Sequence, residues 1–329
     1  MSESLFATLR RLLHHLDMRL GSEISLRMRW AILTLLIPLS AGAGIIEDVR
    51  VQVGQSSYSA AESELRDYRA RHGVTPEYVE AMSWMARGAS EVKQWGQALA
   101  YARETRTLSE QLLARQKLDS EPHLPIALGA AYEVLAQTMS ETGQRTQAAA
   151  VLRTALAKYG NTSIAARLQK NLNLISFVGR PAPPLQSIQY LGPKPPLLAS
   201  LKGSPVLLFF WAHWCGDCKA EIPIIARLRQ EFRPSGLVVI GPTQYYGYGA
   251  RGEDASPAEE KTYIEAVRQR HYSSLLDMPV PLSNANFKTY GASTTPTLVV
   301  LDRTGKVAMY HPGAMPYEEL RTAVEKVAR

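Results

Sequence analysis

At 329 residues, with 46% hydrophobic and 20% charged residues, the chain is long enough for one large domain or two ordinary ones and too apolar for global disorder. A formal charge of +7 favours acidic partners or anionic membrane surfaces, but no dense basic stripe with interleaved aromatics points to nucleic acid. Only two cysteines occur, Cys215 and Cys218, so a scaffold of structural disulfides is excluded and the pair points to chemistry or metal.

Residues 1–45 read as a signal peptide or membrane anchor. Arg27 and Arg29 precede the apolar run 30–38, and the small residues Ser40 to Gly44 follow, with Ala41 and Ala43 as a cleavage site. The stretch before the run is long, and Met28 is an alternative start. The run is short for a membrane span, which needs about 20 residues. An uncleaved anchor and a buried helix are the other readings. No cysteine follows closely enough to be lipidated at a mature N-terminus.

Residues 46–175 are predicted to form an all-helical domain. The stretch 46–70 is polar and mixed, with Gly54-Gln55-Ser56-Ser57 loosening any strand near Val49–Val53. Thr75-Pro76-Glu77 is a helix start, with Thr75 as cap, and Val79, Met82, Met85 and Ala86 recur at the spacing of one buried face. Further helices are expected over 98–113, 126–139 and 147–158. The segments 82–105 and 132–155 resemble tetratricopeptide helix pairs through Ala98 and Ala148, small residues early in each second helix. Their spacing and number fall short of a repeat array, so a plain bundle stands beside that reading. The domain is either a docking surface for a partner or a support for its neighbour.

Gly179-Arg180-Pro181-Ala182-Pro183-Pro184 marks a boundary, because proline at this density stops a helix and extends the backbone. From 176 to 329 the pattern changes to short apolar strands, 205–211, 237–240 and 297–301, with a hairpin partner at 307–310. Helical stretches at 219–231, 258–272 and 317–327 lie between and after them. Such alternation predicts an α/β layer with a mixed central sheet flanked by helices.

Trp214-Cys215-Gly216-Asp217-Cys218 follows a buried strand and opens a helix. The free N–H groups and positive dipole end of a first helical turn favour thiolate at Cys215, which should attack; Cys218, one turn on and more buried, should resolve the mixed disulfide. A cysteine at a helix start should be neither inert nor fully covered. Gly216 keeps the approach open and Trp214 shields one flank. Zinc would need four ligands, and neither a second cysteine pair nor suitably spaced histidines accompany His213, so no metal is expected.

Residues from about 178 to 327 resemble the thioredoxin-like family, and within it the thiol–disulfide oxidoreductases of the TlpA/ResA/DsbE type. The resemblance runs through nearly all of Leu201-Lys202-Gly203-Ser204-Pro205 to Cys218-Lys219-Ala220-Glu221-Ile222-Pro223. It implies a thioredoxin fold. It also implies that Thr295-Pro296 is the cis proline segment facing the disulfide, where the backbone meets an extended substrate. Glu221 matches the acidic residue of the pattern C-x-x-C-x-x-E-x-P, which helps deprotonate the resolving cysteine. Helix spacing independently lets Glu221 meet Cys218 on one face; a solvated surface carboxylate is the alternative. Pro223 matches the proline that kinks this helix. The middle pair Gly216-Asp217 departs from the family, where proline is frequent. A carboxylate near a thiolate disfavours it, so these two residues should tune the redox potential.

Tyr245, Tyr246 and Tyr248 fall in a glycine-rich loop, where they would either line a substrate groove as exposed rings or pack locally. No chemistry is assigned to His311. The reading as a whole is dithiol–disulfide exchange on protein substrates with a protein redox partner and no organic cofactor, periplasmic or outward-facing and tethered in a bacterium. The alternatives are a thiol peroxidase and an interaction module built on a thioredoxin-fold platform.

Overall fold

The computed structural model describes residues 44–329, which form one compact unit. The targeting signals at Arg27, Arg29, 30–38, Ala41 and Ala43 lie outside the described residues. Among the described residues no helix is long and apolar enough to cross a membrane.

Seven helices come first: α1 (Ile45–Gly54), α2 (Tyr58–His72), α3 (Pro76–Glu91), α4 (Trp95–Leu112), α5 (His123–Glu141), α6 (Arg145–Tyr159) and α7 (Ala165–Ser176). The start of α3 follows directly from its residues. Thr75 Oγ1 accepts the N–H of Tyr78 at 3.2 Å, and Pro76 occupies the first turn, where no N–H is needed. Ala98 and Ala148 are fully buried at the starts of α4 and α6, where side chains this small permit close helix approach.

The expected loose or strand-like stretch around Val49–Val53 is helical instead. Ile45 and Val49 stand one turn apart and both bury, while Glu47 and Asp48 complement the positive end of α1. Helix-period burial therefore outweighs the local strand propensity of the valines. Helix α7 had no place among the sequence-predicted elements. It buries Leu168, Asn171 and Ile175 in helical register against the rest of the bundle and the neighbouring sheet layer.

Beyond the proline-rich turn, a four-stranded sheet runs in the order β3 (Val238–Ile240), β2 (Val206–Phe210), β5 (Thr297–Leu301), β6 (Val307–Pro312). The β2–β3 pair is parallel, and β2–β5 and β5–β6 are antiparallel, so the sheet is mixed. A two-stranded antiparallel sheet, β1 (Tyr190–Leu191) and β4 (Val280–Pro281), lies apart from it. Helices α8 (Gly216–Glu231), α9 (Pro257–His271), α10 (Asn284–Tyr290) and α11 (Tyr317–Ala328) complete the layer.

All five residues of β2 are buried because both sheet faces are covered. Leu207 and Phe209 join a core with Ile222, Ile225 and Leu228 of α8 and with Leu320 and Val324 of α11. The alternate residues Val206, Leu208 and Phe210 meet Phe177, Phe287 and Tyr290 on the other face. That second face leads directly to the helical layer. Asn173 of α7 donates to the Tyr290 carbonyl at 2.8 Å, and the Phe177 ring stands edge-on to Tyr290 and Tyr310 at 5.8 and 5.6 Å.

Candidate active site

The chain leaves β2 at Phe210 and passes through Trp211, Ala212, His213 and Trp214 into α8. Trp211 is fully buried, and its Nε1–H donates to the Gly241 carbonyl at 2.9 Å, which anchors the entry to the loop. Cys215 is the N-cap of α8, with extended backbone (φ −72°, ψ 115°), and its Sγ accepts the N–H of Cys218 at 3.0 Å. Sulfur thus takes the position that a serine or aspartate oxygen occupies at other helix starts, where unpaired N–H groups and the dipole favour negative charge. Cys215 and Cys218 form a disulfide. On reduction the same N–H is placed to stabilise a Cys215 thiolate.

The Thr295–Pro296 peptide is cis, and the Thr295 carbonyl oxygen lies 3.4 Å from Cys215 Sγ. The fold therefore brings together residues 80 positions apart in sequence. Gly216 and Asp217 are exposed, and no atom stands within 4 Å of the position a Cβ on Gly216 would take. Approach from that side is open. Trp214 is 49% exposed, with its ring edge-on to Tyr246 at 5.6 Å. The sulfurs are more covered than a helix-start position suggests, since Cys215 is only 3% exposed and Cys218 is fully buried.

Glu221, on α8 with Cys218, is 2% exposed rather than a solvated carboxylate. Its two oxygens lie 3.4 Å from the Met315 N–H. Burial pushes its pKa up to about 7, the Met315 N–H partly opposes that shift, and the Asp217 charge adds to it. A buried acid that exchanges its proton near neutrality suits proton transfer in a thiol reaction. Pro223 lies inside α8.

One part of the site was invisible to motif reading. His213 is buried, and its Nε2 lies 3.2 Å from Glu260 Oε1 on α9, 47 residues away. Glu260 also accepts the N–H groups of Tyr246 at 2.6 Å and Gly247 at 2.8 Å. The rings of Tyr246, Tyr248 and Tyr263 stand edge-on around the imidazole at 5.2 to 5.4 Å. Burial holds the His213 pKa below its usual range despite the pull of Glu260. Helix α9 answers to the helical stretch expected over 258–272, and Ser256 and Glu259 form a reciprocal capping box at its start, but neither signal names His213 as the partner of Glu260. Tyr245, Tyr246 and Tyr248 are half-buried rather than exposed, and Tyr246 packs on both His213 and Trp214. The His311 side chain reaches the Ala314 carbonyl at 3.2 Å.

Residues 198–328 match the family model of a thioredoxin-like domain. Thiol–disulfide oxidoreductase ResA of Bacillus thuringiensis subsp. konkukian (strain 97-27) is 25% identical over 130 residues, 40% of this chain and 67% of the relative. Thioredoxin-like protein YneN of Bacillus subtilis (strain 168) is 26% identical over 153 residues, 45% of this chain and 78% of the relative. Among solved structures, the exposed lipoprotein thioredoxin of Streptococcus pneumoniae strain TIGR4 is similar over 43% of this chain and 99% of its own, with 26% identity and a TM-score of 0.35. Residues 198–328 are thus a thioredoxin-like domain similar to the ResA-type thiol–disulfide oxidoreductases, with a Cys215–Cys218 disulfide at the start of α8.

Proposed function

We propose that the chain exchanges electrons with protein dithiols and disulfides in the bacterial cell envelope, with Cys215 attacking, Cys218 resolving and Glu221 moving the proton. In the reducing direction the Cys215 thiolate attacks one sulfur of a substrate disulfide and expels the other as thiolate. The Cys218 thiolate then attacks Cys215 Sγ, which frees the second substrate sulfur and closes the Cys215–Cys218 disulfide. Two electrons pass to the substrate, and Glu221 accepts the Cys218 proton. The oxidising direction runs these steps in reverse. Trp214 and the Thr295–Pro296 segment flank the incoming sulfur, and Gly216 and Asp217 set the potential of the couple.

The observation that carries this reading is the Cys215 sulfur capping α8, 3.0 Å from the Cys218 N–H and 3.4 Å from the Thr295 carbonyl. An extracytoplasmic site, with residues 1–45 as signal or tether, rests on the basic–apolar–small order of that segment. The test is to trap free thiols across a graded glutathione or dithiothreitol buffer. A reversible two-electron transition is expected. A midpoint below about −220 mV marks a reductant that must be fed electrons, and one near −120 to −180 mV an oxidant or isomerase. Absence of any reversible transition would exclude exchange chemistry and leave the domain as an interaction platform.

A further inference from the structure

A cleft of about 450 Å³ opens at Trp214 and Thr295, the residue before Cys215 and the one whose carbonyl faces its sulfur, and its two sides come from different layers of the molecule. Trp214, Thr295 and Lys288 line it from the sheet layer; Thr162, Ser163 and Ala166, from the α6–α7 turn and the first turn of α7, line it from the helical layer. The size falls within the roughly 300–1,000 Å³ of pockets that enclose a ligand.

The far wall is held in place. Asp119 accepts the Ser163 backbone N–H at 3.1 Å and binds its hydroxyl at 2.5 Å. The Thr162 hydroxyl donates to the Tyr159 carbonyl at 2.7 Å, and Lys288 reaches Asn161 at 3.3 Å across the layers. Helix α7 is itself clamped to α5, with Lys170 Nζ 2.9 Å from Glu133 and Arg167 2.6 Å from it. A wall anchored in this way costs little ordering when a ligand enters.

Two features indicate the occupant. Thr295 Oγ1, on the sheet-layer side of the cleft, is a buried polar atom without a partner. Lys288 is the single charged residue of the lining and is exposed. We propose that the α6–α7 turn and the start of α7 form the far wall of the substrate groove, so that the helical layer selects extended polypeptides carrying a carboxylate beside the reacting cysteine. The inference rests on the exchange activity proposed above. An extended chain, at about 3.3–3.6 Å per residue, has length that a single residue lacks for meeting both sides of the cleft. A second cleft of about 730 Å³ on the helical layer shares Thr162 with this groove.

The test uses the reduced full chain in single turnover with cysteine probes activated as mixed disulfides with 2-nitro-5-thiobenzoate. Attack by Cys215 on the probe cysteine sulfur releases the coloured thiolate. Cys218 then frees the probe thiol as the enzyme disulfide closes. The probes are N-acetylcysteine amide and seven-residue peptides with central cysteine flanked by glutamates or by lysines. The glutamate peptide is expected to react about tenfold faster than the single residue, equivalent to one decade in a binding constant. Ala166→Trp, which fills the groove from the helical side, should collapse that ratio to within about twofold of one, and Lys288→Glu should reverse the preference between glutamate and lysine flanks. A misfolded variant would slow every probe alike, and Lys288→Glu, at an exposed position, supplies the second test. A wild type without length dependence, or an Ala166→Trp variant that keeps it, overturns the role of the helical wall. No colour release from any probe overturns the exchange activity itself.

Discussion

Glu221 and His213 are both buried beside the disulfide loop, and they tie stability to pH with opposite signs. Burial raises the Glu221 pKa from 4.5 to about 7, so across that window the folded state binds more protons than the unfolded one. Its contribution is therefore full below pH 4.5 and is lost as pH rises to about 7, by something of order 3 kcal/mol. Glu221→Gln removes this loss. Urea midpoints between pH 5 and 8 should show the variant gaining on wild type as pH rises, and parallel curves would refute the buried acid. The same substitution should slow turnover at neutral pH by about tenfold or more if Glu221 transfers the proton. His213 is held below 6.5, so its contribution is present above that pH and falls away as acid protonates the unfolded chain. Glu260 accepts three donors, those of His213, Tyr246 and Gly247. Glu260→Gln sets an amide NH2 against at least one of them and should cost about 1–3 kcal/mol, read by thermal denaturation. The Glu221 motif was legible in the sequence, but its burial was not, because Met315 arrives from 94 residues away.

At the scale of elements, the junction of α7 with α10 decides how the helical layer meets the sheet layer. Gly291 follows α10 at φ +64°, and a Cβ there would stand 2.4 Å from the Lys170 backbone nitrogen. Gly291→Ala therefore combines left-handed strain with overpacking against a backbone that cannot turn aside, and should cost about 2–4 kcal/mol. Gly305→Ala, at φ +82° with nothing within 4 Å, carries the strain alone and should cost only about 1–2 kcal/mol. Equal losses in denaturant titrations would remove the close approach from the account. The sequence displayed the long elements because each repeats its burial pattern over several turns. It hid α10, which has only seven residues, and the two-residue strands β1 and β4. Helix α7 did leave a signal in Leu168, Asn171, Leu172 and Ile175, but its polar members buried against partners that no local pattern names.

Over the whole molecule, residues 44–329 form one compact unit, with α7 packed on α5, α6 and α10 and touching β6. The helical layer should not unfold ahead of the sheet layer. A single calorimetric transition with matching calorimetric and van't Hoff enthalpies is expected, and two resolved transitions would show that the layers are independent. The chain's charge of +7 agrees in sign with Lys288 in the redox groove, so raised ionic strength should weaken reaction with acidic peptides.

The chemistry is written locally. A buried strand, a tryptophan-flanked C-x-x-C at a helix start and a glutamate one turn on occupy a short run of chain, and neighbouring residues dictate such geometry through helix capping and period. Thr295-Pro296 could be matched by family resemblance, and the tertiary fold then set its carbonyl against Cys215. Tertiary structure alone paired His213 with Glu260, buried Glu221 and brought the α6–α7 turn into one cleft with Trp214 and Thr295. Those contacts join residues tens of positions apart, and only the packing of whole layers determines which distant side chains share a site.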